Sequence, residues 1–160
     1  MSIRTATIKD LHTISEIENL CFSAEEAASL ETLEKRLKTF PHHFFVLEEK
    51  EQIVGFINGM VTDNDVIIDE MFKNTDLHDA NGKWQSVFGL AVSPDFQKKG
   101  YAGKLIDHII AFSKQQNQKG VVLTCKAGLV HYYEKFGFYD AGISNSVHAG
   151  MVWHDMRIEH

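Results

Sequence analysis

A chain of 160 residues with a formal charge of -6, 44% hydrophobic residues and two cysteines suits one domain that buries its core without a disulfide or a metal. Its lysines and arginines are dispersed apart from Lys98 and Lys99, which excludes a general nucleic-acid surface, because phosphate backbones call for a basic face. No apolar run reaches the length of a membrane span and no basic-then-apolar leader opens the chain, so a cytoplasmic protein without a membrane partner is expected, its Cys21 and Cys125 reduced.

Ile3 to Ala6 reads as a short opening strand. Thr7 or Asp10 can cap the helix that follows, whose apolar stripe is Leu11, Ile14, Ile17 and Leu20. A second helix is expected from about Ala27 to Lys38 through Leu30, Leu33 and Leu37, with CFSAEEAAS, Cys21 to Ser29, between the two and Pro41 as a stop. Phe44 to Val61 has the pattern of a hairpin around a charged turn, Glu49 to Gln52. The polar stretch from Thr62 to Lys83 is too long for a simple connection, and loops of that length in a compact domain are usually functional or disordered.

Val87 to Val92 reads as one buried strand that Pro94 ends. Ala102, Leu105, Ile106, Ile109 and Phe112 then recur as one apolar face of a helix. A strand from Gly120 to Cys125, a short helix from about Leu129 to Phe136 broken by Gly137, and strands Phe138 to Ile143 and Met151 to Ile158 complete the chain. This order predicts a mixed sheet flanked by helices, an α/β (α+β) fold, over a single domain.

The turn QKKGYAGK carries chemistry. A helix N-terminus bears about half a positive charge and several free N–H donors, so it binds phosphate or pyrophosphate. Gly100 permits close approach of a ligand, small Ala102 and Gly103 avoid a clash, and Lys98, Lys99 and Lys104 add charge. The pattern is neither the Gly-Lys-Ser/Thr phosphate loop nor the three-glycine dinucleotide fingerprint. A local anion site in an acidic protein leaves the overall sign suited to a cationic second substrate.

LAVSPDFQKKGYAGKLI resembles the acetyl-CoA-binding signature of the GNAT superfamily of N-acyltransferases, Gln/Arg-x-x-Gly-x-Gly/Ala, which falls on Gln97, Gly100 and Ala102. VVLTCKAGLVHYYEKFGFYDAG resembles the second half of the same site, a strand followed by a helix ending in Tyr-x-Lys/Arg-x-Gly-Phe. The likeness spans essentially the whole chain and is most specific over residues 86 to 142. Within the superfamily, CFSAEEAAS and VLTCKAGLVHYYEKFGF are similar to the arylalkylamine (serotonin-type) branch and its bacterial relatives.

The resemblance implies a GNAT fold of about seven strands and four helices whose fourth and fifth strands splay apart to admit a thioester. It implies acetyl-CoA as cosubstrate and no metal. The backbone of Leu90, Ala91 and Val92 would hold the pantetheine arm as an added strand does. The amides of Lys98, Lys99, Gly100, Tyr101, Ala102 and Gly103, with Lys104 nearby, would hold the pyrophosphate, and Gln97 would shape the loop. Tyr133 would be the general acid that protonates the departing CoA thiolate, since a phenol with an ordinary pKa of about 10 stays protonated at neutral pH.

The arylalkylamine branch removes the ammonium proton of its substrate with two histidines, and this chain has Ser86 and Phe88 in those positions. Replacement bases are Glu70, Asp69, Glu25 and Glu26, with Glu70 first because IIDEMF is an apolar island whose burial would raise a carboxyl pKa. Ser86 is expected to hold a water instead. His131, His148 and His154 are further titratable candidates, without zinc-type spacing. Phe22, Phe72, Phe88, Trp84 and Trp153 are candidates for an acceptor pocket, and Glu26 for attracting an ammonium group.

The expected reaction is transfer of an acetyl group from acetyl-CoA to the primary amine of a small molecule. Protein or peptide acetylation and a non-catalytic acyl-CoA sensor are the alternatives. Members of the family often pair through sheet edges, so a homodimer is the corresponding expectation.

Overall fold

The computed structural model describes residues 1–160. Two compact units form, one from residues 1–59 and 89–108, the other from residues 60–88 and 109–160.

In the first unit, β1 (Ser2–Thr5), β2 (Phe44–Glu49), β3 (Gln52–Asn58) and β6 (Gly89–Val92) make an antiparallel sheet in the order β1-β2-β3-β6. Helices α1 (Leu11–Cys21) and α2 (Leu30–Thr39) bury Leu11, Ile14, Ile17, Leu33 and Leu37 with it, leaving Leu20 and Leu30 of the expected stripes exposed, and Ile14, Leu33, Phe44, Val46 and Phe56 are fully enclosed. A 3-10 turn, Ile8–Asp10, leads into α1, and the Asp10 carboxylate accepts from the Thr7 amide at 2.8 Å and from Arg4 at 2.8 Å. Ser29 caps α2 by accepting from the Thr32 amide at 3.1 Å, which starts that helix later than its leucine spacing predicts.

The second unit holds β4 (Val61–Thr62), β5 (Trp84–Val87), β7 (Gly120–Cys125), β8 (Tyr139–Ile143) and β9 (His154–Glu159), ordered β4-β5-β7-β9-β8. The β5–β7 pair is parallel and the others are antiparallel. Glycine is required at 120, where a Cβ would meet the Ile158 carbonyl at 2.0 Å and the Trp84 ring at 2.8 Å. Helix α3 (Tyr101–Gln115) begins in the first unit and ends in the second, and α4 (Val130–Glu134) follows a 3-10 turn, Ala127–Leu129.

The mixed α/β fold agrees with the expectation, with nine strands and four α-helices. Two expectations need correction. The run from Val87 to Val92 is not one strand: β5 ends at Val87, β6 starts at Gly89, and they belong to different sheets. An apolar run reads as continuous because both strands are buried. The polar stretch 62–83 contains the end of β4 and two 3-10 turns, Asp69–Phe72 and Thr75–Leu77. No helix is long and apolar enough to cross a membrane.

Candidate active site

In the first unit, β6 is an edge strand, paired only with β3. Ser93 donates to the Val54 carbonyl at 2.7 Å, which fixes the alternation: Ala91 spends its backbone groups on Phe56, while both groups of Leu90 and the N–H of Val92 are left at the open edge. Ala91 therefore drops out of the expected pantetheine contacts, because its N–H and C=O belong to the ladder.

After β6, a 3-10 turn at Pro94–Phe96 leads to α3. Gln97 Nε2 donates back to the Val92 carbonyl at 2.9 Å, and the Cys21 thiol donates to the same oxygen at 3.2 Å. Lys98 and Gly100 both adopt positive φ, 65° and 81°. That curl leaves the amides from Lys98 to Gly103 without a hydrogen-bond acceptor in the protein, while Lys104 returns to the helical pattern by donating to the Gly100 carbonyl at 3.2 Å. A Cβ at position 100 would meet nothing within 4 Å, so the concave side of the turn is open. Lys98 and Lys104 are exposed there, and the Lys99 ammonium lies 5.3 Å over the Phe96 ring.

The Tyr101 hydroxyl donates to the Glu49 carboxylate at the end of β2. That bond raises the Tyr101 phenol and lowers the Glu49 carboxyl from their ordinary values. Elsewhere in the unit Glu26 accepts from Ser23 at 3.0 Å and Phe22 packs half-buried against the core, while Glu25 is exposed. Sequence reasoning missed a buried polar group: Glu18 is 5% exposed, Arg36 4% and Asn58 0%. Arg36 donates to Asn58 at 3.2 Å, and burial pushes its guanidinium down to about 10 against the opposing pull of Glu18.

In the second unit, Tyr133 lies on α4 with Tyr132 and Phe138 edge-on at 5.3 Å and 6.0 Å. Its hydroxyl has no hydrogen-bond partner within the protein. Burial, with smaller contributions from Cys125 and Tyr132, pushes the phenol well above its ordinary value. Burial and Asp140 likewise push the Cys125 thiol up to about 11. Both cysteines are free thiols. His131 is on the exposed side of α4, paired with Glu134 at 2.7 Å, and His154 is paired with Asp140 at 3.1 Å.

Ser86 is buried on β5 and donates its hydroxyl to the Met60 carbonyl at 2.7 Å, so its own proton is already committed. Glu70 is exposed, with Asn74 as a distant partner at 3.4 Å, so the burial expected of it is absent. The 3-10 turn buries Ile67 and Met71 and turns the neighbouring acid, Asp69, inward. Asp69 accepts from the Ser146 hydroxyl and from the Val147 amide at 3.0 Å. Burial alone would raise its carboxyl, but those two bonds with His148 and Lys73 outweigh it and hold Asp69 below the carboxylate range. A cavity of about 220 Å³ adjoins it, lined by Val66, Ile67, Ser144, Ser146 and Asp155 among others. Burial pushes Asp155 up, against a Ser144 hydrogen bond and Arg157.

Of the five aromatics expected in an acceptor pocket, the structure joins Phe88, Phe72 and Trp153. Phe88 and Phe72 lie 5.3 Å apart, Phe72 stacks on His148 at 4.9 Å, and His148 reaches Trp153 at 5.9 Å. Trp84 is separate, buried in β5 beside Gly120, and Phe22 belongs to the first unit.

Residues 11–138 match the acetyltransferase (GNAT) family. Serotonin N-acetyltransferase of Mesocricetus auratus is 27% identical over 151 residues, covering 82% of this chain and 72% of that protein. A GNAT-like decarboxylase, GphF, solved with isobutyryl-CoA, superposes with a TM-score of 0.85 at 19% identity, over 99% of each chain. The ribosomal-protein-S18-alanine N-acetyltransferase from Escherichia coli gives a TM-score of 0.73 at 17% identity, over 99% of this chain and 92% of that one. With the family match covering most of its length, the chain belongs to the acetyltransferase (GNAT) family and is an acyltransferase.

Proposed function

We propose that residues 1–160 act as one acetyl-CoA-dependent N-acetyltransferase that acylates the primary amine of a small molecule by direct attack. The observation that carries the reading is Tyr133, a desolvated phenol held protonated, with no hydrogen-bond partner of its own in the protein. The likeness to a serotonin N-acetyltransferase and the formal charge of -6 both favour a cationic, amine-bearing acceptor.

In this reading the amides from Lys98 to Gly103 take the pyrophosphate, and Leu90, with the N–H of Val92, pairs with the pantetheine arm as a strand would. Gln97 keeps the turn in its binding shape through Val92. The amine attacks the thioester carbonyl, the tetrahedral intermediate collapses, and Tyr133 donates its proton to the sulfur as the C–S bond breaks. Phe88 and Phe72 give the acceptor an apolar wall.

The experiment is thiol release from acetyl-CoA against arylalkylamines, polyamines, aminosugars and lysine-bearing peptides. Turnover with a small amine supports the reading, and turnover with peptides alone replaces it by protein acetylation. Tight acetyl-CoA binding without release by any acceptor favours the sensor reading, for which the committed Ser86 proton and apolar Phe88 speak.

A further inference from the structure

An alkylamine arrives as an ammonium ion, with a pKa near that of lysine, about 10, so a base must take a proton before attack. Among side chains, imidazole is the one best suited to that exchange near neutral pH. The chain has nine histidines, and the structure separates them sharply. His12 and His42 are exposed in the first unit, His43 is buried there, and His108 packs on Phe45 at 4.6 Å. In the second unit His78 Nδ1 accepts from the Val61 amide, His131 and His154 pair with Glu134 and Asp140, and His160 meets Ser113 at 2.9 Å. His148 alone sits in the aromatic series Phe88, Phe72, His148, Trp153.

Its placement is held from several sides. Its amide donates to Ser146 Oγ at 3.2 Å, and its carbonyl accepts from Trp153 Nε1 at 2.9 Å and from the Met151 amide at 3.2 Å. Ala149 and Gly150 follow with positive φ, 55° and 67°, a backbone conformation that favours glycine. Asp69 latches the same loop through Ser146 and Val147 and places a carboxylate near the imidazole. Lys126 sets its ammonium 5.9 Å over the Trp153 ring. Within one unit, a connected series of ring contacts therefore runs from Lys126 through Trp153 and His148 to Phe72 and Phe88.

We propose that His148 is the general base that deprotonates the acceptor ammonium, with Asp69 as the positioning residue that fixes its loop. The inference rests on the N-acetyltransferase reading. The ammonium gives one proton to the neutral imidazole. The freed lone pair forms the C–N bond, the C–S electron pair leaves with sulfur, and sulfur takes a proton from Tyr133. Tyr133 recovers a proton from the nitrogen of the collapsing intermediate through solvent, and His148 releases its proton to water, so the sum is one amide, one thiol and one H⁺.

The test compares His148→Gln with the parent enzyme on two acceptors, an alkylamine that is protonated at the assay pH and a hydroxylamine that is neutral there. Removing the base is expected to lower kcat/KM for the alkylamine about 100-fold, with the hydroxylamine rate changed less than about threefold and acetyl-CoA affinity equal to the parent's. Equal losses on both acceptors, or an alkylamine rate within about threefold of the parent, overturn the assignment. His148→Asn serves as the second variant should the first fail to fold, with acetyl-CoA affinity as the check. A parent enzyme that releases thiol with no amine overturns the N-acetyltransferase reading itself, and the base with it.

Discussion

The side chain of Gln97 donates to the Val92 carbonyl at 2.9 Å, closing the turn between β6 and α3 from within. One hydrogen bond of this kind contributes about 1 kcal/mol net. Gln97→Ala is therefore expected to weaken acetyl-CoA binding about fivefold and to lower the unfolding midpoint by about 2–4 °C, as measured by calorimetric titration and thermal denaturation. Unchanged affinity would show that the turn holds its shape without the bond.

Gly100 supplies a different part of the same turn. Its φ of 81° is strained for any residue with a Cβ, yet a Cβ there would touch nothing within 4 Å. Gly100→Ala thus carries a conformational cost without a clash, about 1 kcal/mol of stability. Urea unfolding should register that loss, and acetyl-CoA affinity should fall with it because the curl of the free amides relaxes.

Arg36 is a larger stake. It is 4% exposed, bonded to Asn58 and electrostatically coupled to Glu18. Removing one member of a buried charged group leaves the other without compensation, so Arg36→Ala is expected to cost about 3–5 kcal/mol. The paired substitution Arg36→Met with Glu18→Leu should recover most of that in urea unfolding.

Acid stability should depend on Asp10. The hydrogen bond from Arg4 is the largest of several contributions that hold its carboxyl below the ordinary value, against burial. A lowered folded pKa means stability that is fully present above the unfolded pKa, about 4, and lost as pH falls through the folded value. Asp10→Asn is expected to be less stable than the parent at neutral pH, with the gap closing below about pH 4.

The turn from Pro94 to Gly103 was legible because its signals are local: a proline stop, a glycine where φ is positive, and a helix stripe beginning at Ala102. The change of sheet at Phe88 was not, since burial on both sides of it erases the alternation that would mark two strands. Glu70 shows a similar limit. The apolar island correctly signals burial at Ile67 and Met71, but which adjacent acid turns inward depends on a partner, Ser146, that lies 77 residues away. His148 is drawn to Phe72 by the same long-range latch, and no spacing in the sequence announces it.

Single-turnover thiol release by Tyr133→Phe, measured beside acetyl-CoA affinity, tests whether Tyr133 protonates the departing thiolate. A rate about 100-fold below the parent's is expected with an active amine, at unchanged affinity, because the substitution removes only the proton offered to sulfur. Release at the parent's rate would contradict the acid role of Tyr133.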